Sequence, residues 1–365
     1  MPKIKLQDTT AEQVRAMLPD RPADANKGTF GSVLVVAGSL NYVGAPVLAT
    51  LGAMRVGVGL ATLATPFELL PMVSAKLTEC TFRPLPSDMG VLNDRAVASL
   101  QKALNEREYK ALLVGNGLGR EKETLNFMRK LLDEPSGATA GTDIHPARSV
   151  GFTQSSAAQS AERHSERVVG FASPRDPATH GPATADPEAA LRTPHSALRT
   201  PLPPLVLDAD GLNLLHQLDG WVDRLPPNTI LTPHPGEMAH LLDSDVDTVQ
   251  ADRTGTAQRA AADWKAVVVL KGAHTVIASP DGRVQVNPTA SPALATAGTG
   301  DVLAGVIAGL LAQGMAPFDA AVAGVFVHGR AGELVAEDLG DAGALAGDVA
   351  DALPYAIRDI KDGHD

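Results

Sequence analysis

The hydrophobic residues of the chain are arranged in short runs that alternate with longer, helix-like stretches. Residues 32–38 form a continuous run rich in β-branched side chains and closed by glycine, and residues 45–59 form an apolar stretch that also ends in glycines. The first run predicts a buried strand and the second a helix. Residues 60–65 predict a second strand, and residues 111–119 a third strand that runs into a glycine loop.

The same alternation continues in the rest of the chain. Residues 121–134 begin with acidic side chains, carry basic ones later and repeat apolar positions every three or four residues, which predicts a helix. The other predicted elements are a strand and helix over 205–215, a strand, turn and helix over 229–242, a helix over 249–264, two or three strands over 266–287 with a turn at 279–282, and helices over 300–313, 317–338 and 343–361.

Strands that alternate with helices indicate an α/β fold with a largely parallel sheet covered on both faces. The hairpin-like residues 266–287 are expected towards one edge of that sheet. Both ordered parts of the chain alternate in the same way, so one domain formed by residues 27–134 and 204–361 is favoured over two domains. Residues 1–26 are expected to precede this domain as an N-terminal extension.

Residues 135–203 differ in composition from the rest of the chain. Ala, Ser, Thr, Pro and Arg dominate this segment, large apolar residues are few, and the near-repeat RTPHSALRTP indicates low complexity. Such a segment cannot bury enough surface to offset the entropy of its chain. We therefore predict a disordered or loosely held insert between the two parts of the domain.

Charge and cysteine content narrow the classes of partner. The chain of 365 residues carries 31 basic and 42 acidic side chains, a net charge of −11, which argues against a nucleic-acid polymer or an anionic membrane as the main partner. A small anionic ligand stays possible, because one local pocket can be positive. Cys80 is the single cysteine, so no disulfide forms within the chain. The polar N-terminal residues and the lack of a long apolar run predict a cytoplasmic protein.

A glycine-rich turn with one carboxylate stands before the most apolar helix, in the stretch 293-ALATAGTGDVLAGVIAGLLAQG-314. Such a turn offers unpaired N–H groups and the positive end of the helix dipole, which suits a phosphate. The dipole also favours a charged Asp301, which we expect to be ionised near neutral pH. Beside a phosphate, Asp301 could accept a proton from an attacking hydroxyl, although it could also simply cap the helix. The small residues before it favour a ligand.

This stretch resembles the anion-hole motif of the ribokinase-like superfamily, whose members transfer phosphate to small hydroxyl-bearing substrates. The resemblance implies a three-layer α/β/α fold with a mainly parallel central sheet and helices on both faces. It also implies that Asp301 is the catalytic base and that the turn of Gly298, Thr299 and Gly300 contacts the phosphate.

A second motif, 231-LTPHPGEMAHLL-242, narrows the resemblance. Two prolines stiffen the turn after a strand and hold His234 in place, and Glu237 opens the next helix. Taken alone, this could be an ordinary strand-to-helix connection. Many ribokinase-like kinases have Asn-x-x-Glu here, whereas the His-Pro-Gly-Glu of this chain is similar to the NAD(P)H-hydrate dehydratase branch, in which TPHPGE is a hallmark.

Other blocks resemble the same branch in the same order. The resemblance covers roughly residues 27–132 and 204–355 and skips the insert. An epimerase domain is often fused ahead of this one, and it is expected to be absent because only about 26 residues precede Lys27. The matching blocks are 27–39, 42–66, 115–119, 207–215 and 270–277.

The chain departs from the family pattern at two places. Asn116 replaces the proline of the family's Gly-Pro-Gly-Leu-Gly. Residues 289–291, Thr-Ala-Ser, stand where the family usually has Thr-Gly-Asn. The second change could alter the surroundings of the substrate or the nucleotide.

The resemblance implies the repair of damaged nicotinamide cofactors. The family dehydrates (6S)-NADHX and NADPHX, the hydrated forms of NADH and NADPH. A nucleoside phosphate donates a phosphoryl group to the hydroxyl of the hydrate, and loss of phosphate restores the dihydropyridine ring. Bacterial members use ADP and release AMP, and eukaryotic members use ATP. The resemblance therefore implies ADP as co-substrate, with ATP possible, Mg²⁺ as cofactor and a homotetramer, and it leaves the preference between NADHX and NADPHX open.

The resemblance also implies a role for particular residues. Asp301 takes the hydroxyl proton, while Gly298, Thr299 and Gly300 stabilise the charge of the moving phosphoryl group. The residues implied to line the hydrate site, together with Asp301, are Ala45, Gly117 and His234. The residues implied to hold the nucleotide, together with Gly300, are Lys271, Gly272, Ala273, His274 and Thr275. Asp208 and Asn213 face the site, and Glu237 acts through magnesium, by way of water.

Other readings of the sequence stay open. A vitamin or sugar kinase of the same superfamily shares the Gly-Thr-Gly-Asp turn but normally lacks His-Pro-Gly-Glu. A non-catalytic nucleotide-binding module is a third possibility, against which the intact Asp301 argues. A Rossmann dehydrogenase has little support, because residues 115–119 lack the Gly-x-Gly-x-x-Gly spacing. By residue type alone, Ala45 could be a packing residue and Gly117 a turn residue.

Overall fold

The computed structural model describes residues 7–133, 201–340 and 342–363. The strands are β1 (Gln7–Asp8), β2 (Ser32–Val36), β3 (Leu60–Pro66), β4 (Thr81–Leu85), β5 (Ser87–Asp88), β6 (Val91–Leu92), β7 (Ala111–Val114), β8 (Leu205–Leu207), β9 (Ile230–Leu231), β10 (Val267–Leu270), β11 (Val276–Ala278) and β12 (Val284–Val286). The helices are α1 (Ala11–Met17), α2 (Gly44–Arg55), α3 (Leu70–Ser74), α4 (Ala96–Glu106), α5 (Lys122–Leu132), α6 (Asp210–Leu215), α7 (Pro235–Leu241), α8 (Val246–Ala251), α9 (Arg253–Trp264), α10 (Thr299–Ala312), α11 (Pro317–Leu339) and α12 (Ala346–Asp362).

Ten of these strands form one sheet in the order β1-β12-β11-β10-β9-β8-β7-β2-β3-β4, and β5 pairs with β6 separately. Within the ten-stranded sheet, β11 is antiparallel to β10 and β12, and the other described neighbours are parallel. The predicted, mainly parallel sheet is confirmed. The predicted hairpin region, which forms β10, β11 and β12, lies towards one edge of the sheet, and β1 is the one described strand between it and that edge.

Alternation of side chains along the strands creates a core on each face of the sheet. Val33 and Val35 point into a cluster formed with α1, α2, α10, α11 and α12. Leu34 and Val36 point into a second cluster, formed with the helices from α4 to α9. All four side chains are fully buried. Period-two burial on both faces is what a central sheet between two helical layers requires, and the three-layer α/β/α architecture is confirmed.

One local prediction differs from the structure, and several observed elements were not predicted. The single helix predicted over 249–264 is two helices, because Asp252 leaves the helical conformation at φ −144° and its side chain caps α9 by accepting from the Gly255 N–H. Strand β4 and helix α4 have no counterpart among the predicted elements. β4 is a mostly half-buried or exposed edge strand that contains Pro84, so it lacks the apolar run that marks the inner strands.

The predicted N-terminal extension packs onto the domain from Gln7 onward. β1 pairs in parallel with β12, and Val14 of α1 is fully buried in the core shared with α11 and α12. The Arg15 side chain donates to the Ile360 carbonyl at 2.7 Å. The predicted insert, residues 135–203, lies outside the described residues except for positions 201–203. Among the helices described, none combines the length and the apolar character needed to cross a membrane.

The strand order opens a crevice at the carboxyl ends of the central strands. From β2 the chain proceeds to β3 and β4 on one side, and it later returns to β7 on the other side of β2. The connections after β2 and β7 therefore leave in opposite directions, and ligands of α/β sheets bind at such switch points.

Helix α10 lies against α2 through glycines. A Cβ atom on Gly52 would lie 2.3 Å from the Val302 carbonyl oxygen, and one on Gly305 would lie 2.0 Å from the Ala49 carbonyl oxygen. Both distances are far below van der Waals contact, so the backbones of the two helices approach more closely than any larger residue permits. This close packing fixes where the N-terminus of α10 meets the crevice.

We predict that Gly305→Ala destabilises the protein by about 1–3 kcal/mol, because the added methyl group forces α10 away from α2. The matched control is Gly347→Ala in α12, where an added Cβ meets no atom within 4 Å. The control should be neutral or slightly stabilising, since alanine is the better helix former. Urea unfolding of both variants measures the difference, and equal stabilities would contradict the close approach.

Candidate active site

The glycine-rich turn and Asp301 lie at the N-terminus of α10. Gly298 has a left-handed φ of 92°, and a Cβ there would lie 2.5 Å from Leu48, so glycine is required. The single hydrogen of the Thr299 hydroxyl is shared between the carbonyl oxygens of Leu294, at 2.8 Å, and Thr296, at 2.9 Å. These bonds hold the turn in the conformation that leaves the first N–H groups of α10 without intrahelical acceptors.

A buried histidine supports the same turn from α11. His328 Nε2 lies 2.9 Å from the Thr299 carbonyl oxygen, and the side chain is buried. Burial lowers the pKa of His328 to about 4, so the ring is neutral and Nε2 carries the proton that it donates.

Asp301 belongs to a buried network of polar side chains. Asn116, from the loop after β7, donates through Nδ2 to Asp301 Oδ1 and to Asp208 Oδ2, each at 2.8 Å. Asp208, which follows β8, accepts from the Lys271 ammonium at 2.7 Å and from the Thr232 hydroxyl at 2.6 Å. The ends of the four neighbouring strands β7, β8, β9 and β10 and the start of α10 thereby meet at one point.

The expectation that Asp301 is ionised near neutral pH because of the helix dipole is wrong as stated. The pKa of Asp301 is raised to about 7, mainly by burial and next by the negative charge of Asp208, against the opposing effects of the Asn116 hydrogen bond and Lys271. The loss of hydration therefore outweighs the dipole of α10. A carboxyl group that titrates near neutral pH is well matched to proton transfer as a base.

Lys271 supplies the positive charge of the network. Burial disfavours its ammonium form, but Asp208 and Glu237 outweigh that cost and hold the pKa of Lys271 above its ordinary value. Its Nζ lies 3.7 Å from Glu237 Oε2. Lys271 therefore remains a cation between two carboxylates.

His234 and Glu237 form a capping box at the start of α7. His234 Nδ1 accepts from the N–H groups of Gly236 at 3.0 Å and Glu237 at 3.2 Å, while Glu237 Oε2 accepts from the His234 N–H at 2.8 Å. Burial lowers the pKa of His234, and burial raises that of Glu237 to about 7. The imidazole is consequently neutral, with its proton on Nε2, which lies 3.4 Å from Glu237 Oε1, and about half of the side chain is exposed.

Two residues implied for the hydrate site meet beside this network. Gly117 has a φ of 64°, and a Cβ there would lie 2.8 Å from the Ala45 Cβ and 2.7 Å from the Tyr42 Cβ. The Ser39 hydroxyl donates to the Gly117 carbonyl at 2.9 Å. The loop after β7 and the start of α2 thus lie in contact, and His234 is on the far side of Asp208 in strand order.

A cavity of about 450 Å³ lies on the other side of the Gly298–Gly300 turn. Of the residues implied for the nucleotide, His274 does not line this cavity; its side chain is exposed and its φ is 55°. The implied residues that do line it are Lys271, Gly272, Ala273, Thr275 and Gly300.

Several lining residues had no counterpart among the sequence-based candidates. Leu303, Val325 and His328 stand in the apolar patterns of α10 and α11, where nothing distinguishes them from core residues. They reach the cavity because α11 packs against α10. Residues 289–292, which include the departure from the family pattern, also line it.

The described residues contain no group of three His, Cys, Asp or Glu side chains arranged to hold a metal ion. Asn213 lies near the network without joining it: its Nδ2 donates to the Ala209 carbonyl at 3.1 Å, and its Oδ1 lies 3.4 Å from His240 Nδ1. Asp210 accepts from the Gly119 N–H at 3.0 Å and from Arg120 Nε at 2.8 Å. These bonds tie the loop after β7 to the start of α6.

Comparison with curated proteins identifies close relatives. A bifunctional NAD(P)H-hydrate repair enzyme Nnr from Moorella thermoacetica is 35% identical over 97% of this chain, which spans about half (54%) of that protein. The ADP-dependent (S)-NAD(P)H-hydrate dehydratase of Neisseria meningitidis is 34% identical over 92% of this chain and 88% of its own length. The protein of the same name from Bacillus subtilis is 31% identical over 94% of this chain and 95% of its own length.

Solved structures agree with these relatives. The ADP/ATP-dependent NAD(P)H-hydrate dehydratase of Bacillus subtilis, co-crystallised with ATP/Mg²⁺, has a TM-score of 0.69 and 29% identity, and the match covers 98% of this chain and 99% of that chain. A ribokinase-like superfamily protein from Enterococcus faecalis, with a TM-score of 0.66 and 20% identity over 97% of this chain and 96% of its own, shares the fold. The family model of NAD(P)H-hydrate dehydratase matches residues 33–140 and 181–355, and the chain belongs to this family.

Proposed function

We propose that the protein restores NADH and NADPH from (6S)-NADHX and (6S)-NADPHX, with ADP as the phosphoryl donor. The observation that carries the proposal is the place of Asp301. This buried carboxyl group lies at the N-terminus of α10. The 450 Å³ cavity is lined by residues of the Gly298–Gly300 turn, and the contact of Gly117 with Ala45 lies beside the polar network that contains Asp301. The two curated dehydratases matched over most of their length carry the same activity in their names.

The proposed reaction begins with phosphoryl transfer. The hydroxyl oxygen at C6 of the hydrate attacks the terminal phosphorus of ADP, the bond from that phosphorus to the oxygen of AMP breaks, and Asp301 accepts the hydroxyl proton. N–H groups of the Gly298–Gly300 turn and the Lys271 ammonium stabilise the negative charge on the moving phosphoryl group.

Elimination completes the proposed reaction. The bond between C6 and the phosphate oxygen breaks, a proton leaves the neighbouring ring carbon, and the ring double bond is restored. The products are NADH or NADPH, AMP and phosphate. Phosphate is a better leaving group than hydroxide, which is the chemical reason to spend a nucleotide on a dehydration.

Magnesium would be held mainly by phosphate oxygens in this proposal. Glu237 Oε2 already accepts from the His234 N–H at 2.8 Å and faces Lys271, so direct coordination would disrupt the capping box. Mg²⁺ commonly keeps several waters and binds through few carboxylates together with substrate phosphates. Glu237 fits a contact through water, and when bound the ion would neutralise phosphate charge.

A vitamin or sugar kinase is the second candidate, because the turn and Asp301 would serve any hydroxyl that attacks a phosphate. The His234–Glu237 capping box and the names of the relatives favour the dehydratase. A non-catalytic nucleotide-binding module would bind ADP without turnover. The homotetramer, the cytoplasmic location and the preference between ADP and ATP stay predictions.

We predict that purified protein with NADHX, Mg²⁺ and ADP produces a rise in absorbance at the NADH band, and that Asp301→Asn lowers the rate by about 10²–10⁴-fold, because the base is lost. Asp359→Asn is the matched control, since Asp359 is a buried carboxylate of α12 that pairs with Arg330 and Arg358. ATP is tested in parallel. A stable phosphorylated hydrate instead of NADH would indicate a kinase, and ADP binding without any product would indicate a binding module.

We also predict that kcat/KM falls as pH decreases through about 7, where the folded pKa of Asp301 lies. A base with a raised pKa is protonated below that value, so the rate should drop about tenfold per pH unit below it. The measurement is the initial rate at low NADHX concentration between pH 5.5 and 9. A rate that stays constant down to about pH 5 would show that Asp301 ionises well below the range that its burial demands.

A further inference from the structure

Asn116 occupies the centre of the buried network. Its side chain is fully buried in the loop after β7, and its main-chain carbonyl oxygen accepts from the Gly38 N–H at 2.9 Å. Its Nδ2 lies 2.8 Å from both Asp208 Oδ2 and Asp301 Oδ1. The amide group therefore connects two carboxyl groups from distant parts of the chain.

The orientation of this amide is fixed by chemistry. An amide nitrogen has two hydrogens and an amide oxygen has none, so only the nitrogen can face two carboxylate oxygens. Asn116 Oδ1 then points away, and it is buried without a hydrogen-bond partner among the described residues. A buried, unpaired carbonyl costs stability. That cost indicates that the two bonds made by Nδ2 matter at this position.

The backbone on both sides of Asn116 is closely packed. Gly115 has a φ of 134°, and a Cβ there would lie 1.9 Å from the Asp208 carbonyl oxygen. Gly117 has a φ of 64° and contacts Ala45. Glycines on both sides thus let the loop lie close to β8 and α2, which brings the Asn116 side chain to the two carboxyl groups.

The charges around Asp301 explain why a donor is needed there. Asp208 and Asp210 oppose its ionisation, and Lys271 favours it. Among the described residues, the Asp301 carboxyl group receives one side-chain hydrogen bond, which comes from Asn116. Without this donor, burial and two like charges would act against a single ammonium group that is already paired with Asp208.

We propose that Asn116 is a positioning residue that keeps the Asp301 carboxylate in the ionised form required of the base. This inference rests on the proposed function. The Asp208–Lys271 pair fixes one hydrogen of the amide and thereby directs the other at Asp301. The proline that resembling proteins carry here has no such hydrogen, so Asn116 gives this chain a connection that proline cannot make.

The test measures the ionisation of Asp301 without using activity. The free energy of unfolding of Asp301→Asn, relative to the unsubstituted protein, depends on pH because Asp301 ionises with a higher pKa in the folded state than in the unfolded chain. The ionised, buried carboxylate destabilises the fold, so the advantage of asparagine grows as pH rises above about 4 and becomes constant above the folded pKa of about 7. The pH above which this stability difference is constant, the upper limit, reports the pKa of Asp301 in the folded protein.

The same pair of proteins is then prepared with Asn116→Ala and with Asn116→Pro. We expect the upper limit to move to higher pH by about one to two units in both, since a hydrogen bond to a charged group is lost. The midpoint of kcat/KM should move by the same amount, so activity at pH 7 falls about 5- to 50-fold and recovers above pH 9. Asn116→Pro restores the residue of the resembling proteins, which guards against simple misfolding.

Asn93→Ala is the matched control. Asn93 is also buried, and its Nδ2 donates to Asp88 at 2.9 Å in a separate part of the chain, so its loss should lower stability without moving either pH limit. Unchanged pH limits in both Asn116 variants, or a loss of activity equal at all pH values, would overturn the role of Asn116. Absence of turnover in the unsubstituted protein would instead refute the proposed function and leave the stability measurement to decide on Asn116.

Discussion

One buried ammonium group stands among carboxyl groups at the carboxyl edge of the sheet, and the rest of the site depends on this imbalance. Lys271 lies 2.7 Å from Asp208 and 3.7 Å from Glu237, and Asn116 links Asp208 to Asp301. A single cation cannot compensate three buried negative charges. Burial first, and then the negative charge of Asp208, raise the pKa values of Glu237 and Asp301 to about 7. Near neutral pH, Glu237 and Asp301 can therefore each gain or lose a proton.

The scaffold makes such an arrangement possible. Parallel strands present their carboxyl ends at one edge, so residues that follow β7, β8, β9 and β10 become neighbours although they are far apart in the chain. The N-terminus of α10 is brought to the same edge because glycines let it approach α2 closely. Hydrophobic burial on both faces of the sheet stabilises the fold that holds this polar network.

Asp301 lies between two different environments. On one side of its turn is the cavity whose walls include Lys271, Thr299 and apolar residues of α10 and α11. On the other side are the loop after β7 and the start of α2, where Gly117 meets Ala45. In-line phosphoryl transfer places the attacking and the leaving oxygen on opposite sides of the phosphorus, so donor and acceptor need separate places beside the base. The geometry suits such a transfer, and the His234 turn adds a neutral imidazole at the rim.

The sequence by itself determined the alternation of strands and helices, the glycine turn before Asp301 and the stiff turn around His234, because these depend on local periodicity and on residues that are adjacent in the chain. It could not determine the break at Asp252, where a local cap replaced a continuous helix, or the cavity wall contributed by α11. It also misjudged the ionisation of Asp301: the helix dipole is visible in the sequence, whereas burial is not. Asn116 donates to Asp208 and Asp301, which are 92 and 185 positions away in the chain, and only the tertiary structure decides which distant polar groups share one buried site.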